Sequence, residues 1–357
     1  MTAQPASGAV SDRRPADVLI VDDSIVARAV LRRIIESDPR YRVAGAVGDA
    51  TAAINFLARD HADVVLLDIE MPGQSGLAAL PEILAAGRGA QVLIVSSTCA
   101  TGVEATVCAL ALGAADTLVK PGAGVLAGRF AELLHERLAR LAEARCMVER
   151  PVLRSTPLPR VRREAPRVLA IGASTGGIHA LGQMLAEIDA ACDAPMLVTQ
   201  HLPAAFMPYF ARQFAQLAGR PCFVAEDRMR IRPGHAYIAP GDAHLTCVAI
   251  TDGQSIRLER RRSDSGCSPS ADPMFASVGE VFGAGALAIV LSGMGRDGVI
   301  GAQRLIDCGG ALIAQDRASS VVWGMPGAVV EKGLAEAVLP PDAIGRAVRA
   351  RFADAIS

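Results

Sequence analysis

The chain has 357 residues, too many for one ordinary core and suited to two domains. Apolar residues make up 51%, which excludes a largely disordered chain. With 36 Lys plus Arg against 37 Asp plus Glu and only 4% aromatics, the sequence argues against a life on nucleic acid or on anionic membrane.

Residues 1–16 are polar and lack the apolar core of a signal peptide, so they read as a disordered tail. From residue 17 the pattern alternates strand and helix five times. Val18–Val21, Val43–Val47, Val64–Leu67, Val92–Val95 and Thr117–Val119 are short apolar runs, and a long helical segment follows from Leu126 to Met147. Strands alternating with helices imply a doubly wound parallel sheet, here spanning 17–140, and such sheets bind ligands at the carboxyl ends of their strands. Residues 141–166 read as a linker, because the stretch 145–167 holds seven Arg and four Pro against two acids. Proline blocks helix and like charges repel, so an extended segment is expected.

The second domain, 167–357, restarts with the strand Val168–Ile171, a Gly-rich turn and a helix near Gly177–Ile188. Met196–Thr199, Phe223–Ala225 and Leu287–Leu291 read as further strands. His235–Ala239, Leu245–Thr251 and Ser255–Glu259 are short runs separated by Pro-Gly and Asp-Gly turns, which suggests antiparallel hairpins inserted in a mostly parallel α/β domain. No apolar run approaches the roughly 20 residues needed to cross a bilayer. The eight cysteines form no CxxC pair and no His–Cys cluster at zinc spacing, pointing to a reducing compartment. A cytoplasmic protein without membrane insertion is expected.

Chemistry gathers at the strand ends. Asp22 and Asp23 end the first strand, Asp68 the third, Ser96 and Ser97 the fourth, and Lys120 the fifth. Three carboxylates on one edge repel each other unless a hard divalent cation such as Mg²⁺ neutralises them. A lone strand-end Asp is usually a helix cap, but three acids, a hydroxyl and a lysine in one unit weaken that reading.

The stretches Val21-Asp22-Asp23-Ser24, Leu67-Asp68-Ile69-Glu70-Met71-Pro72 and Val119-Lys120-Pro121 resemble the receiver domain of two-component response regulators. The resemblance implies that Asp68 accepts a phosphoryl group from a histidine kinase. It implies Mg²⁺ held by Asp22, Asp23, Asp68 and the backbone carbonyl of Glu70, with Ser96 and Lys120 as switch residues that contact the phosphoryl group. Three residues before the lysine, receivers usually carry an aromatic residue; here it is Thr117.

In the second domain, Gly172-Ala173-Ser174-Thr175-Gly176 satisfies G-x-S-x-G between a strand and a helix. That motif reads either as a nucleophile elbow or as a phosphate-cradling turn. A nucleophilic serine needs a base, and the base needs an orienting acid. Of six histidines, His201 directly follows a strand and shares the sheet edge with Ser174, which makes it the best base. Asp297, in the Gly-rich turn after Leu287–Leu291, is placed to orient an imidazole.

These stretches, Ile171 to Gly177, Gln200-His201-Leu202-Pro203 and Leu291-Ser292-Gly293-Met294-Gly295-Arg296-Asp297-Gly298, resemble the catalytic motifs of chemotaxis protein-glutamate methylesterases, the CheB family. The resemblance implies a phosphorylation-regulated enzyme that hydrolyses glutamate methyl esters on chemoreceptors, and commonly deamidates receptor glutamines, in chemosensory adaptation. It implies Ser174 as nucleophile, His201 as base, Asp297 as its orienter and the Met294 N–H as an oxyanion donor, with no metal in the ester step. The elbow geometry adds the N–H of Thr175 as a second donor. Two departures stand out: Cys267-Ser268-Pro269-Ser270 where the family often has His-Arg-Pro-Ser, and Ile178 where Pro is usual. The alternative reading is a response regulator whose second domain binds a nucleotide or protein without catalysis.

Overall fold

The computed structural model describes residues 14–96, 100–120, 127–146, 165–189 and 192–356. The expected tail before Arg14, Ser97, and residues 147–164 of the expected linker lie outside the described residues. Arg14 pairs with Asp17 and the first strand opens at Ala16, so order begins within the expected tail.

The first domain runs β1 (Ala16–Val21), α1 (Ile25–Glu36), β2 (Tyr41–Val47), α2 (Ala50–Arg59), β3 (Val64–Asp68), α3 (Gly76–Ala86), β4 (Gln91–Ser96), α4 (Ala100–Leu112), β5 (Asp116–Val119) and α5 (Ala127–Cys146). Helix α5 thus extends into the segment expected as linker. The five strands are parallel in the order β2-β1-β3-β4-β5. Period-two alternation sends Val18, Ile20, Val64 and Leu66 to a core shared with Leu31, Ile35, Leu134 and Leu138 of α1 and α5. Leu19, Val21, Val65 and Leu67 pack on the opposite face. Ser24, Asp49 and Ser75 start α1, α2 and α3 by accepting backbone N–H groups that the helices cannot satisfy themselves.

The second domain runs β6 (Val168–Ala173), α6 (Gly177–Leu185), β7 (Met196–Gln200), α7 (Met207–Ala218), β8 (Cys222–Val224), β9 (Ala236–Ile238), β10 (His244–Ile250), β11 (Gly253–Glu259), α8 (Ala271–Phe282), β12 (Ala286–Val290), α9 (Val299–Asp307), β13 (Ala311–Gln315), α10 (Met325–Glu331), β14 (Ala337–Leu339) and α11 (Pro341–Ile356). Its parallel sheet has the order β14-β13-β12-β6-β7-β9-β8. The hairpin expectation needs one correction. Among the described strands β10 and β11 pair antiparallel, whereas β9, expected in a hairpin, lies parallel between β7 and β8. Ala236, Tyr237 and Ile238 are all buried, and a strand covered on both faces belongs in the middle of a parallel sheet. No helix among the described residues is long and apolar enough to cross a membrane.

The chain runs from β6 outward to one side and returns to build β12 to β14 on the other, so β6 and β12 are neighbours at the topological switch point. Open α/β sheets place their sites at such points.

Helix α4 ties the two domains together. Its sequence, ATGVEATVCALAL, carries one charge and no polar face, a composition that needs cover on more than one side. The first sheet covers one side. The other packs against the second domain, and Val103, Val107 and Leu110 share one continuous apolar cluster with Ile178, Leu202 and Phe206. The one charge, Glu104, meets Arg212 of α7 at 3.1 Å.

Candidate functional sites

At the carboxyl edge of the first sheet, oxygen atoms of Asp22, Asp23 and Asp68 lie within 4.8 Å of one another. Lys120 Nζ reaches Asp68 Oδ2 at 2.6 Å and Asp22 Oδ2 at 3.0 Å. Burial pushes the Asp68 carboxyl up despite Lys120. Burial also disfavours the charge on Lys120, but its two carboxylate partners outweigh that and hold the ammonium charged. Ser96 Oγ is fully buried beside this pocket and has no hydrogen-bond partner among the described residues. An all-oxygen donor set with an uncommitted hydroxyl fits a hard cation and a phosphoryl group. The structure therefore gathers the expected Asp22, Asp23, Asp68, Ser96 and Lys120. The amide of exposed Glu70 points back to Asp68 Oδ1 at 3.2 Å. Thr117 is buried in β5, where a bulky aromatic residue was the usual expectation.

The second site sits where β6, β7 and β12 end. Ser174 follows β6 and is half-buried. Gly176, at φ +76°, makes the sharp turn into α6, and a Cβ there would strike Val321 and the Ser292 hydroxyl. The β12 loop approaches so closely that a Cβ on Gly293 would come within 2.9 Å of Ser174 Cβ. Met294 is the next residue after this contact in the β12 loop. Among the described residues nothing occupies the N–H of Thr175 or of Met294.

His201 follows β7, and its Nε2 lies 2.8 Å from Asp297 Oδ2. Asp297 is fully buried and accepts from Ser270 Oγ at 2.5 Å and from Ala271 N–H at 2.7 Å. Burial opposes its charge, but His201, Ser270 and Ala271 outweigh burial and hold the carboxyl well below the usual range. An ionised carboxylate only accepts, so Nε2 donates to Asp297, and in the neutral ring the lone pair then lies on Nδ1.

Asp297 does not cap the helix that follows it. Gly298 caps α9, while Asp297 binds the first N–H of α8. Asp272 returns the bond from α8, accepting from Gly301 N–H of α9 at 2.7 Å. The Asp272 carboxyl is pushed up to about 6, first by burial and further by the charge of Asp297.

Sequence reasoning passed over Ser270. The serine is fully buried and caps α8, and a Ser before an apolar helical run is a legible cap signal. Its contact with Asp297 crosses 27 positions and carries no local signature. His244 fixes the same turn by accepting from Ser270 N–H at 2.9 Å. The role of Gln200, whose amide donates to the Ser174 carbonyl at 3.0 Å, was also not foreseen.

The first domain covers this groove. Leu110, Ala114, Ala115 and Asp116 face Ser174 and His201 across a cavity of ≈ 10 Å³, room for about one water. The Ala115 carbonyl accepts from Gly176 N–H at 2.8 Å. The Thr175 hydroxyl donates to Asp116 Oδ2 at 2.8 Å, and Arg137 of α5 holds that same oxygen at 2.6 Å. His179 of α6 has its Nδ1 2.9 Å from the Ala111 carbonyl at the end of α4.

Residues 18–126 match the family model of the response regulator receiver domain, and residues 169–348 match that of CheB methylesterase. A protein-glutamate methylesterase/protein-glutamine glutaminase of Nitrobacter hamburgensis is 39% identical over 95% of this chain and 94% of its own. One of the same name from Azospirillum brasilense is 37% identical over 94% and 92%. The crystal structure of the Thermotoga maritima CheB methylesterase catalytic domain is 32% identical, with TM-score 0.50, covering 52% of this chain and 98% of that one.

Proposed function

The chain belongs to the CheB methylesterase family, in its form with an N-terminal receiver domain, and on that premise we propose that it demethylates glutamate methyl esters of chemoreceptors by Ser174, His201 and Asp297. Deamidation of receptor glutamines by the same residues belongs to this reading, as the names of the relatives suggest. The observation that carries it is the buried Asp297 held against His201 at 2.8 Å, at the switch-point edge that also presents Ser174.

Ser174 Oγ attacks the ester carbonyl while His201 Nδ1 takes its proton. Asp297 stabilises the imidazolium that forms and keeps the ring in place. The Thr175 and Met294 N–H groups stabilise the oxyanion, each worth on the order of 10²–10³ in rate. The imidazolium then protonates the departing methanol, and water hydrolyses the glutamyl-enzyme by the reverse proton path. For a glutamine the leaving group is ammonia. No metal takes part in ester cleavage under this reading.

In the receiver, Asp68 is the phosphoryl acceptor from a histidine kinase, and Asp22, Asp23 and Asp68 with the Glu70 carbonyl would hold Mg²⁺. That ion supplies charge neutralisation for phosphoryl transfer. Ser96 and Lys120 engage the phosphoryl oxygens, and the rearranged strand ends loosen the cover over Ser174. The test is methanol release from a methylated receptor fragment, with and without a small phosphodonor. Ser174→Ala should abolish release while Asp68 still phosphorylates; near-normal turnover in that variant would remove Ser174 as nucleophile.

A further inference from the structure

His201, Asp297 and Cys267 bring a nitrogen, a carboxylate oxygen and a thiol within 4.8 Å of one another. Neither the ester mechanism nor the receiver chemistry uses the thiol. We propose that this cluster is a zinc site whose occupation reversibly inhibits the esterase; the inhibition rests on His201 as base, whereas the binding does not.

The ligand types suit a borderline-soft ion. Zinc takes sulfur, imidazole nitrogen and carboxylate oxygen at about 2.0–2.3 Å in a tetrahedron, which sets the donors roughly 3.3–3.8 Å apart. His201 Nε2 and Asp297 Oδ2 start at 2.8 Å with the half-buried Cys267 thiol within 4.8 Å of both, so the pair widens and the thiol draws in by about an ångström or less to reach that spacing. Zinc would enter where the Nε2 proton now sits, on the Asp297 lone pair that faces the ring. The Ala271 N–H on the same oxygen and the Ser270 hydroxyl on the other stay in place. Water fills the fourth position.

The electrostatics agree. Burial raises the Cys267 thiol, and the negative charge of Asp297 raises it further. An entering cation reverses that effect, since metal binding and thiol deprotonation are linked. Thiolate and carboxylate together cancel the charge of Zn²⁺, leaving a neutral site in a half-buried place. Asp272 adds negative charge nearby, and Arg140 of α5 faces the thiol from the first domain.

The proton balance explains the inhibition. With zinc on Nε2, the neutral imidazole carries its proton on Nδ1, and the thiol proton leaves to solvent. One proton is released per ion bound. Nδ1, the nitrogen that must accept the Ser174 proton, is then occupied. Mg²⁺ prefers an all-oxygen shell and should not compete here.

The experiment uses the full chain with millimolar Mg²⁺ present to fill the Asp22, Asp23 and Asp68 pocket. Zn²⁺ affinity is measured by chelator competition in wild type, Ser174→Ala, Cys267→Ser and Cys267→Ala. Co²⁺ is titrated in parallel to read the thiolate-to-cobalt charge-transfer band. The expected result is one tight ion per chain in wild type and Ser174→Ala, with the band present. Both Cys267 variants should lose the band and weaken binding at least about tenfold, while keeping basal methanol release. Zinc should inhibit wild type, and a zinc-selective chelator should restore it. Equal affinity in the Cys267 variants, or no thiolate band, overturns the site. Binding with the band but no loss of methanol release would keep the site and overturn the inhibition. A failure of Ser174 as nucleophile would leave the Ser174→Ala binding data untouched, so the two ideas fail separately.

Discussion

Removing the Asp116 carboxylate should open the groove over Ser174. Asp116 Oδ2 accepts the Thr175 hydroxyl at 2.8 Å across the domain boundary, and Arg137 donates to the same oxygen at 2.6 Å and aims it. A hydrogen bond to a charged group contributes about 1.5–3 kcal/mol net. At about 1.4 kcal/mol per tenfold, Asp116→Ala shifts the balance between covered and uncovered groove by roughly 10–100-fold. The apolar packing of α4 and the Ala115–Gly176 backbone bond remain, so the cover is weakened and not abolished. Methanol release from a methylated receptor fragment would be compared for the unphosphorylated wild type, Asp116→Ala, and a fragment starting near Val161. The variant should approach the rate of the fragment, and a phosphodonor should stimulate it less. Phosphorylation of Asp68 serves as the check that the receiver is intact. A small soluble ester should show a smaller difference, because it slips past a partial cover. An unchanged variant beside a faster fragment would refute the role of Asp116, and equal rates for all three would refute occlusion itself.

Ser270→Ala should lower kcat on the order of tenfold with KM nearly unchanged, since it strips the 2.5 Å donor from Asp297 without touching substrate; unchanged kcat in steady-state assays would contradict this. Asp68→Asn should keep basal esterase activity that acetyl phosphate with Mg²⁺ cannot raise, and stimulation of this variant would remove Asp68 as the switch. Asp272 is held at about 6 in the fold against 3.8 as a free group, so the native state binds the extra proton between these values. Its contribution to stability therefore falls as pH rises from 3.8 to about 6 and is flat above. Asp272→Asn keeps the acceptor for Gly301 N–H and should flatten that part of a melting-temperature profile; an identical profile would contradict it. Gly293→Ala should cost at least about tenfold in kcat, because its methyl would meet Ser174 Cβ at 2.9 Å and displace the Met294 N–H.

Local periodicity determined much of this protein. All five strands of the first domain, and the ends of β6, β7 and β12 that carry Ser174, His201 and the Asp297 turn, follow from apolar runs read a few residues at a time. The residues that gather in the structure are the strand-end residues singled out in the sequence, because parallel strands send their carboxyl ends to one edge. Tertiary structure decided what depends on distant partners. The place of β9 in the parallel sheet follows from cover on both faces, which a three-residue strand cannot announce. Which imidazole nitrogen meets Asp297 is set by how the β7 and β12 loops cross. Ser270 and Cys267 reach that pair only because α8 and α9 exchange caps through Asp297 and Asp272. Locally, the part of the first domain that covers Ser174 shows itself as a helix with no polar face. The surface that buries it lies about a hundred residues further on, and contact at that separation is a property of the assembled fold.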